Sequence, residues 1–203
     1  VAEDGWTHRR IPDVFDQGWR SKVRIIINET AKKLRNDPYL IGYQTDNEMK
    51  WGPDADVATL LEVYLSANKT TAGKNKVVEF LRDRYENNVR DFNNIWKMNI
   101  SNFNDLYNHT EFGIKGWTTR NTRAQEDIDI FSRLIAETYF NFTNSVLKNA
   151  DPNHLNLGVR FFVQGVPKSV LEECGKYVDV ISINYYRLNV ITYDPLIYLT
   201  SKL

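Results

Sequence analysis

The run Tyr39-Leu40-Ile41-Gly42-Tyr43-Gln44-Thr45 constrains the fold most: it opens after Asp37-Pro38 and runs into the polar Asp46-Asn47-Glu48. A short apolar run bounded this way suits a buried parallel strand. Two further runs have the same character. Residues 154–162 follow Asp151-Pro152-Asn153, and residues 177–186 carry Val178, Val180, Ile181 and Ile183 as a β-branched core. A helical pattern precedes each strand. Val23, Ile27, Ala31 and Leu34 recur at helical spacing before the stop Asn36-Asp37-Pro38, although Ile25-Ile26-Ile27 alone would pass for a strand. Ile128, Phe131, Ile135, Tyr139, Phe142 and Val146 form one apolar stripe along a helix predicted over 125–147. Shorter helices are predicted over 57–65, 76–85 and 92–96. Strands alternating with helices imply an α/β fold with a parallel sheet, either a barrel or a doubly wound sheet.

The 203 residues carry 26 Lys plus Arg against 26 Asp plus Glu. Zero formal charge argues against a nucleic-acid coat or a polybasic membrane anchor, and no apolar run approaches the roughly 18 residues that span a bilayer. The single cysteine, Cys174, excludes an internal disulfide and a cysteine-rich zinc site, and a buried structural thiol is expected. His8, His109 and His154 are scattered, without metal-ligand spacing. Asn-x-Ser/Thr sequons at Asn28, Asn68, Asn99, Asn108 and Asn141 hint at a glycosylated, extracellular protein, although Asn28 and Asn141 fall inside predicted helices.

Functional groups in a parallel αβ protein gather at the carboxyl ends of the strands, where the loops diverge. Alternation puts Gly42, Gln44, Asp46 and Glu48 on one face of the first strand. It groups Gly158, Arg160 and Phe162 on the second, and Ser182, Asn184 and Tyr186 on the third. A polar row on a buried strand is costly without partners. A crevice of carboxylic acid, amides, arginine and aromatic rings has the makeup of a sugar site, because sugars offer hydroxyls at their edges and C–H faces that pack on rings. A polar-plugged sheet without catalysis is the competing account.

Four ordered blocks carry a family resemblance. Asp37 to Tyr43, running into Asp46-Asn47-Glu48 and Trp51-Gly52, resembles the fourth-strand region of clan A glycoside hydrolases, especially β-agarases and related β-galactosidases. Ile11-Pro12-Asp13-Val14-Phe15-Asp16 resembles the segment upstream of it. Phe80-Leu81-Arg82-Asp83-Arg84-Tyr85 with Asn93-Asn94-Ile95-Trp96 resembles their LRERYG helix and the following Trp loop. Asp151 to Phe161 and Val178 to Tyr186 resemble the fifth and sixth strands.

The resemblance implies a partial (β/α)8 TIM barrel: residues 1–203 as the part around strands four to six, with a helical insertion at about 53–123. It implies Glu48 as the general acid/base and Asn47 as the amide near the sugar 2-hydroxyl. Trp51, Arg160, Asn184 and Tyr185 would line the substrate cleft. An oligo- or polysaccharide is the implied partner, and the reaction needs no cofactor or metal. Such an acid must carry a proton when substrate binds and act as base once the sugar is on the enzyme.

The departure concerns the second carboxylate. Retaining hydrolysis uses two, about 5 Å apart. In the resembled families the nucleophile is a Glu ending the seventh strand, so it is expected beyond Leu203. Asp194 lies in a loop-like setting, and Glu172 and Glu173 fall in a helix, expected in solvent. The chain therefore reads as a segment whose sheet edges await other strands. The alternative is a non-catalytic carbohydrate-binding relative. A doubly wound protein of another class would want a Gly-rich phosphate turn, which the sequence lacks.

Overall fold

The computed structural model describes residues 11–52, 59–110, 122–162 and 166–184. Helix α1, Gln17–Leu34, starts where the Asp16 carboxylate accepts the Trp19 N–H at 2.6 Å. Its inward stripe is the predicted one, with Ala31 buried and Val23, Ile27 and Leu34 half-buried. The β-branched Ile25-Ile26-Ile27 is helical, and Ile25 and Ile26 face solvent.

Three parallel strand lines follow. The first consists of β1, Gly42–Tyr43, and β2, Asp46–Asn47; the second of β3, Leu155–Asn156, and β4, Val159–Phe162; the third is β5, Ser182–Asn184. Gly42 pairs with Leu155, Asn47 with Arg160, and Arg160 with Ser182. The second line is therefore central. The single long strands predicted over 39–45 and 154–162 each split in two, and Tyr39 and Ile41 are exposed rather than buried.

Gly158 explains the split. Its φ of +62° is left-handed, which resets the side-chain alternation along the strand. Asn156 before it is buried and bonds Asn144 of the long helix behind, yet Val159 after it is also fully buried. The predicted grouping of Gly158, Arg160 and Phe162 thus breaks at Gly158. The Thr45 N–H donating to the Gly158 carbonyl at 2.9 Å carries the ladder across the gap. Gly42 is needed for another reason: a Cβ there would come within 2.3 Å of the Leu155 carbonyl oxygen.

The helix behind the strands is α5, Thr122–Ala150, whose stripe of Phe131, Ile135, Tyr139 and Phe140 is buried. Between β2 and α5 lie α2, Leu60–Leu65, α3, Ala72–Arg84, α4, Val89–Trp96, and a 3₁₀ turn, Phe103–Asn108. Thr59, Thr71, Asn88 and Asn102 cap them, Thr59 and Asn102 in capping boxes with Glu62 and Asp105. The Arg84-Tyr85 and Trp96 block converges on one buried carboxylate. Asp127 of α5 accepts the Tyr85 hydroxyl at 2.6 Å, Arg84 Nε at 2.8 Å and Trp96 Nε1 at 3.2 Å. Lys74, fully buried, donates its ammonium to the carbonyls of Leu65 and His109.

Helix α6, Lys168–Gly175, packs on α5 before β5. Cys174 is buried there, and burial pushes its thiol up to about 12. Glu172 is exposed, but Glu173 corrects the expectation of a solvated pair. It is buried and takes Lys176 Nζ at 2.7 Å and Arg133 Nη1 at 2.9 Å. Burial works against its charge, and these two cations still hold its carboxyl below the usual range. Asn28 and Asn141 sit within α1 and α5, with all five sequon asparagines on exposed positions.

At the amino ends of the strands, buried Asp151 accepts the Tyr43 hydroxyl at 2.6 Å and faces His154 Nδ1 at 2.7 Å. Burial opposes its charge, but the bonds from Tyr43 and His154 pull Asp151 below its ordinary value, while Asp151 raises His154 above 6.5. The histidine's contribution is complete below about 6.5, its unfolded value, and is lost as pH rises through its higher folded value. The aspartate's is lost as pH falls below about 3.8 through its lower folded value. Melting temperatures of the protein and of His154→Gln should therefore differ most between those limits and converge on the alkaline side. A second expectation concerns the glycines. Gly158→Ala should cost about 1–2 kcal/mol in chemical denaturation, and Gly42→Ala more, because its methyl meets backbone that cannot move aside.

Candidate active site

Glu48 follows β2 directly, at the carboxyl end of the first strand line. Its φ is +49°, a conformation that a residue with a Cβ rarely adopts, and its N–H donates to the Arg160 carbonyl at 2.8 Å. Strain of this kind gathers at functional sites. Nothing in the residue type gave it away beforehand. The turn sends Met49 and Trp51 into the core, while Glu48 and Lys50 stay half-buried.

Two side-chain pairs lie beside this turn. Asn184, ending β5, donates Nδ2 to Glu48 Oε1 at 2.5 Å, spanning the central strand line. Arg160 Nε donates to Asn47 Oδ1 at 2.6 Å, between paired positions of β4 and β2. With its oxygen taken by arginine, the Asn47 amide presents its NH2 as donor. Lys50 Nζ lies 5.9 Å from the centroid of the Phe162 ring, a contact that the sequence did not signal. Glu48, Asn47, Arg160 and Asn184 thus share the carboxyl end of the sheet. Tyr185 lies outside the described residues.

Asp46 pairs with buried Val159 of β4. Loss of water around its carboxyl raises it above the usual range, against hydrogen bonds from the Asn47 N–H and the Tyr139 hydroxyl. Tyr139, fully enclosed, is itself pushed well up by burial, and its hydroxyl bonds Thr45 Oγ1 at 3.3 Å.

Trp51 corrects the expectation of a cleft-lining ring. It is 1% exposed, stacked on Phe140 at 5.3 Å and 17°, with Tyr139 edge-on at 5.5 Å. Its indole N–H has no acceptor among the described residues. The family resemblance implied a place near the sugar for this ring, whereas the chain after Glu48 turns it into the core. Among the described residues no three His, Cys, Asp or Glu side chains form a metal-binding group, and no helix is long and apolar enough to cross a membrane.

A parallel sheet backed by helices, with a carboxylic acid, amides and a guanidinium at its carboxyl edge, defines a class of αβ proteins built to hold polar ligands there. Residues 3–195 match the β-galactosidase family, glycoside hydrolase family 42, and the chain belongs to that family. It is 28% identical over 194 residues to β-agarase A of Vibrio sp. strain JT0107, taking in 91% of this chain and 19% of that protein. The crystal structure of an agarase superposes with a TM-score of 0.78 at 28% identity, over 98% of this chain and 28% of the other. The β-galactosidase of the psychrophilic Marinomonas ef1 shares the fold, with a TM-score of 0.56 at 18% identity, over 95% of this chain and 27% of the other. The chain spans about a fifth of the length of the curated relatives it matches.

Trp51→Ala should lower stability by about 3–5 kcal/mol, the usual loss for a large buried aromatic. Trp51→Phe, which keeps most of the stack, should lose far less. Urea titration of the three proteins checks both.

Proposed function

We propose that this chain is the central part of the catalytic (β/α)8 barrel of a retaining glycoside hydrolase acting on β-linked galactosides or galactose-containing polysaccharides. Its three strand lines would be barrel strands four, five and six, with residues 53–123 as a helical insertion. The observation that carries the reading is Glu48, held at a strand's carboxyl end in a left-handed turn, with Asn47, Arg160 and Asn184 around it. Family membership and the likeness to agarases support the reaction class and the sugar.

Glu48 would protonate the glycosidic oxygen as a second carboxylate attacks the anomeric carbon. It would then take a proton from the water that hydrolyses the glycosyl-enzyme. That second carboxylate we assign to a Glu beyond Leu203, at the end of a seventh strand about 5 Å from Glu48. Asn47, oriented by Arg160, would donate its NH2 to the sugar 2-hydroxyl, and Tyr185 would line the cleft. A polysaccharide too large to enter a cell must be met outside it, and an extracellular location fits the exposed sequons.

The test uses aryl β-galactoside and agarose, with the 203-residue chain and a version extended at both ends. Activity is expected only in the extended form. Activity in neither would shift the reading to a glycan-binding relative. In the extended protein, Glu48→Gln should cut turnover of unactivated glycosides by about 10²–10⁴ and spare substrates whose leaving group needs no protonation. Equal retention on both would remove Glu48 from the acid role.

A further inference from the structure

Asn184 has the residue type of a sugar contact, but its amide is already committed to protein. Its Nδ2 donates to Glu48 Oε1 at 2.5 Å, from the third strand line to the first, with Arg160 of the central line paired to Asn47 alongside. An amide NH2 only donates, so the oxygen it faces must accept. A carboxylic acid carries its proton on one oxygen at a time, and its carbonyl oxygen is the better acceptor, so a donor at Oε1 favours the proton on Oε2. We infer that Asn184 is a positioning residue that clamps Glu48 by Oε1, so that the transferable proton resides on Oε2.

The assignment rests on the reading of Glu48 as the acid and deepens it. The clamp works in both halves of the reaction. While the leaving oxygen is protonated, it keeps the carboxyl in one rotamer and dictates which oxygen delivers the proton. Once Glu48 is ionised, the N–H steadies the carboxylate as it waits to act on water. The neighbouring charges are Asp46 and Lys50, two residues to either side, and Arg160 on the central strand line. Among the described residues the contact to Glu48 from β5 is the neutral amide of Asn184. A neutral donor can select an oxygen without fixing the charge state, which a lysine or arginine there would do.

The test is made in the full-length hydrolase with two near-isosteric variants. Asn184→Leu removes the donor, and Asn184→Asp replaces it with an acceptor. Equal thermal melting certifies both folds. For unactivated glycosides kcat should fall roughly 10- to 100-fold, KM should stay within about twofold, and activated aryl substrates should be nearly unaffected. The alkaline limb of kcat/KM, which reports loss of the acid's proton, should move up in Asn184→Leu and further up in Asn184→Asp. Raised KM on both substrate types with an unmoved limb would make Asn184 a sugar contact and overturn the proposal. So would a limb that moves down, because the amide oxygen would then be the atom facing Glu48. Glu48→Gln assayed in parallel separates the two levels. If it spares both substrate types, the acid reading fails; if it behaves as an acid knockout, any failure belongs to Asn184 alone.

Discussion

The contact between α5 and the back of the strands fixes everything at their carboxyl ends. Tyr139 and Phe140 meet Trp51 from the turn after the first strand line, and Phe140 and Trp51 meet Phe161 from the second, in one unbroken aromatic cluster. Val159 and Phe161 are buried against it, which leaves Arg160 to face the other way. A one-residue slip of the second line would bring the arginine into the aromatic core and leave its charge without water. Hydrophobic burial on one side of the sheet thereby enforces polar placement on the other.

The helices were readable because apolar stripes are local: the Ile128 to Val146 stripe follows the period of α5. Their starts were not, because the caps Thr59, Thr71 and Asn88 begin helices at 60, 72 and 89 where the spacing predicted 57, 76 and 92. Strand alternation failed where one backbone angle intervened. A glycine in a strand does not announce a positive φ, so Gly158 left the face of the residues after it unreadable from those before. Glu173 was misjudged for a related reason: its partner Arg133 lies 40 residues earlier, on a helix whose packing against α6 only the tertiary fold determines.

At the candidate site residue types were legible beforehand, and their relations came from the fold. Glu48, Asn47, Arg160 and Asn184 stood out as polar groups ending strands, but which of them bond to one another depends on register. Asn47 opposite Arg160 and Arg160 opposite Ser182 bring the arginine to one amide and leave Asn184 to reach Glu48. Trp51 shows the limit of carrying a family's cleft residues over by resemblance. It lies three residues from Glu48, and the turn between them separates crevice from core. The conspicuous Arg84-Tyr85 and Trp96 block proved to be architecture, a three-way hold on Asp127 that ties the middle helices to α5.

The left-handed backbone at Glu48 costs on the order of 1 kcal/mol, and several contacts over-determine it. Its N–H is held by the Arg160 carbonyl, its carboxyl by Asn184, and the chain beyond it by burial of Met49 and Trp51. Each comes from a different neighbour: the central strand, the third strand and the helix layer. In the proposed reaction the acid must be held to within about half an ångström, and a flexible loop does not supply that. Here the constraint comes from strands whose register is set by the core behind them. The same arrangement leaves Ile41, Leu155 and Val180 exposed near the amino ends of the strands, and Ile25 and Ile26 exposed on α1. In the proposed barrel, neighbouring strands and helices would cover these apolar groups. Closing the sheet would then add apolar burial at the amino ends while leaving the carboxyl ends, where Glu48 stands, open to sugar.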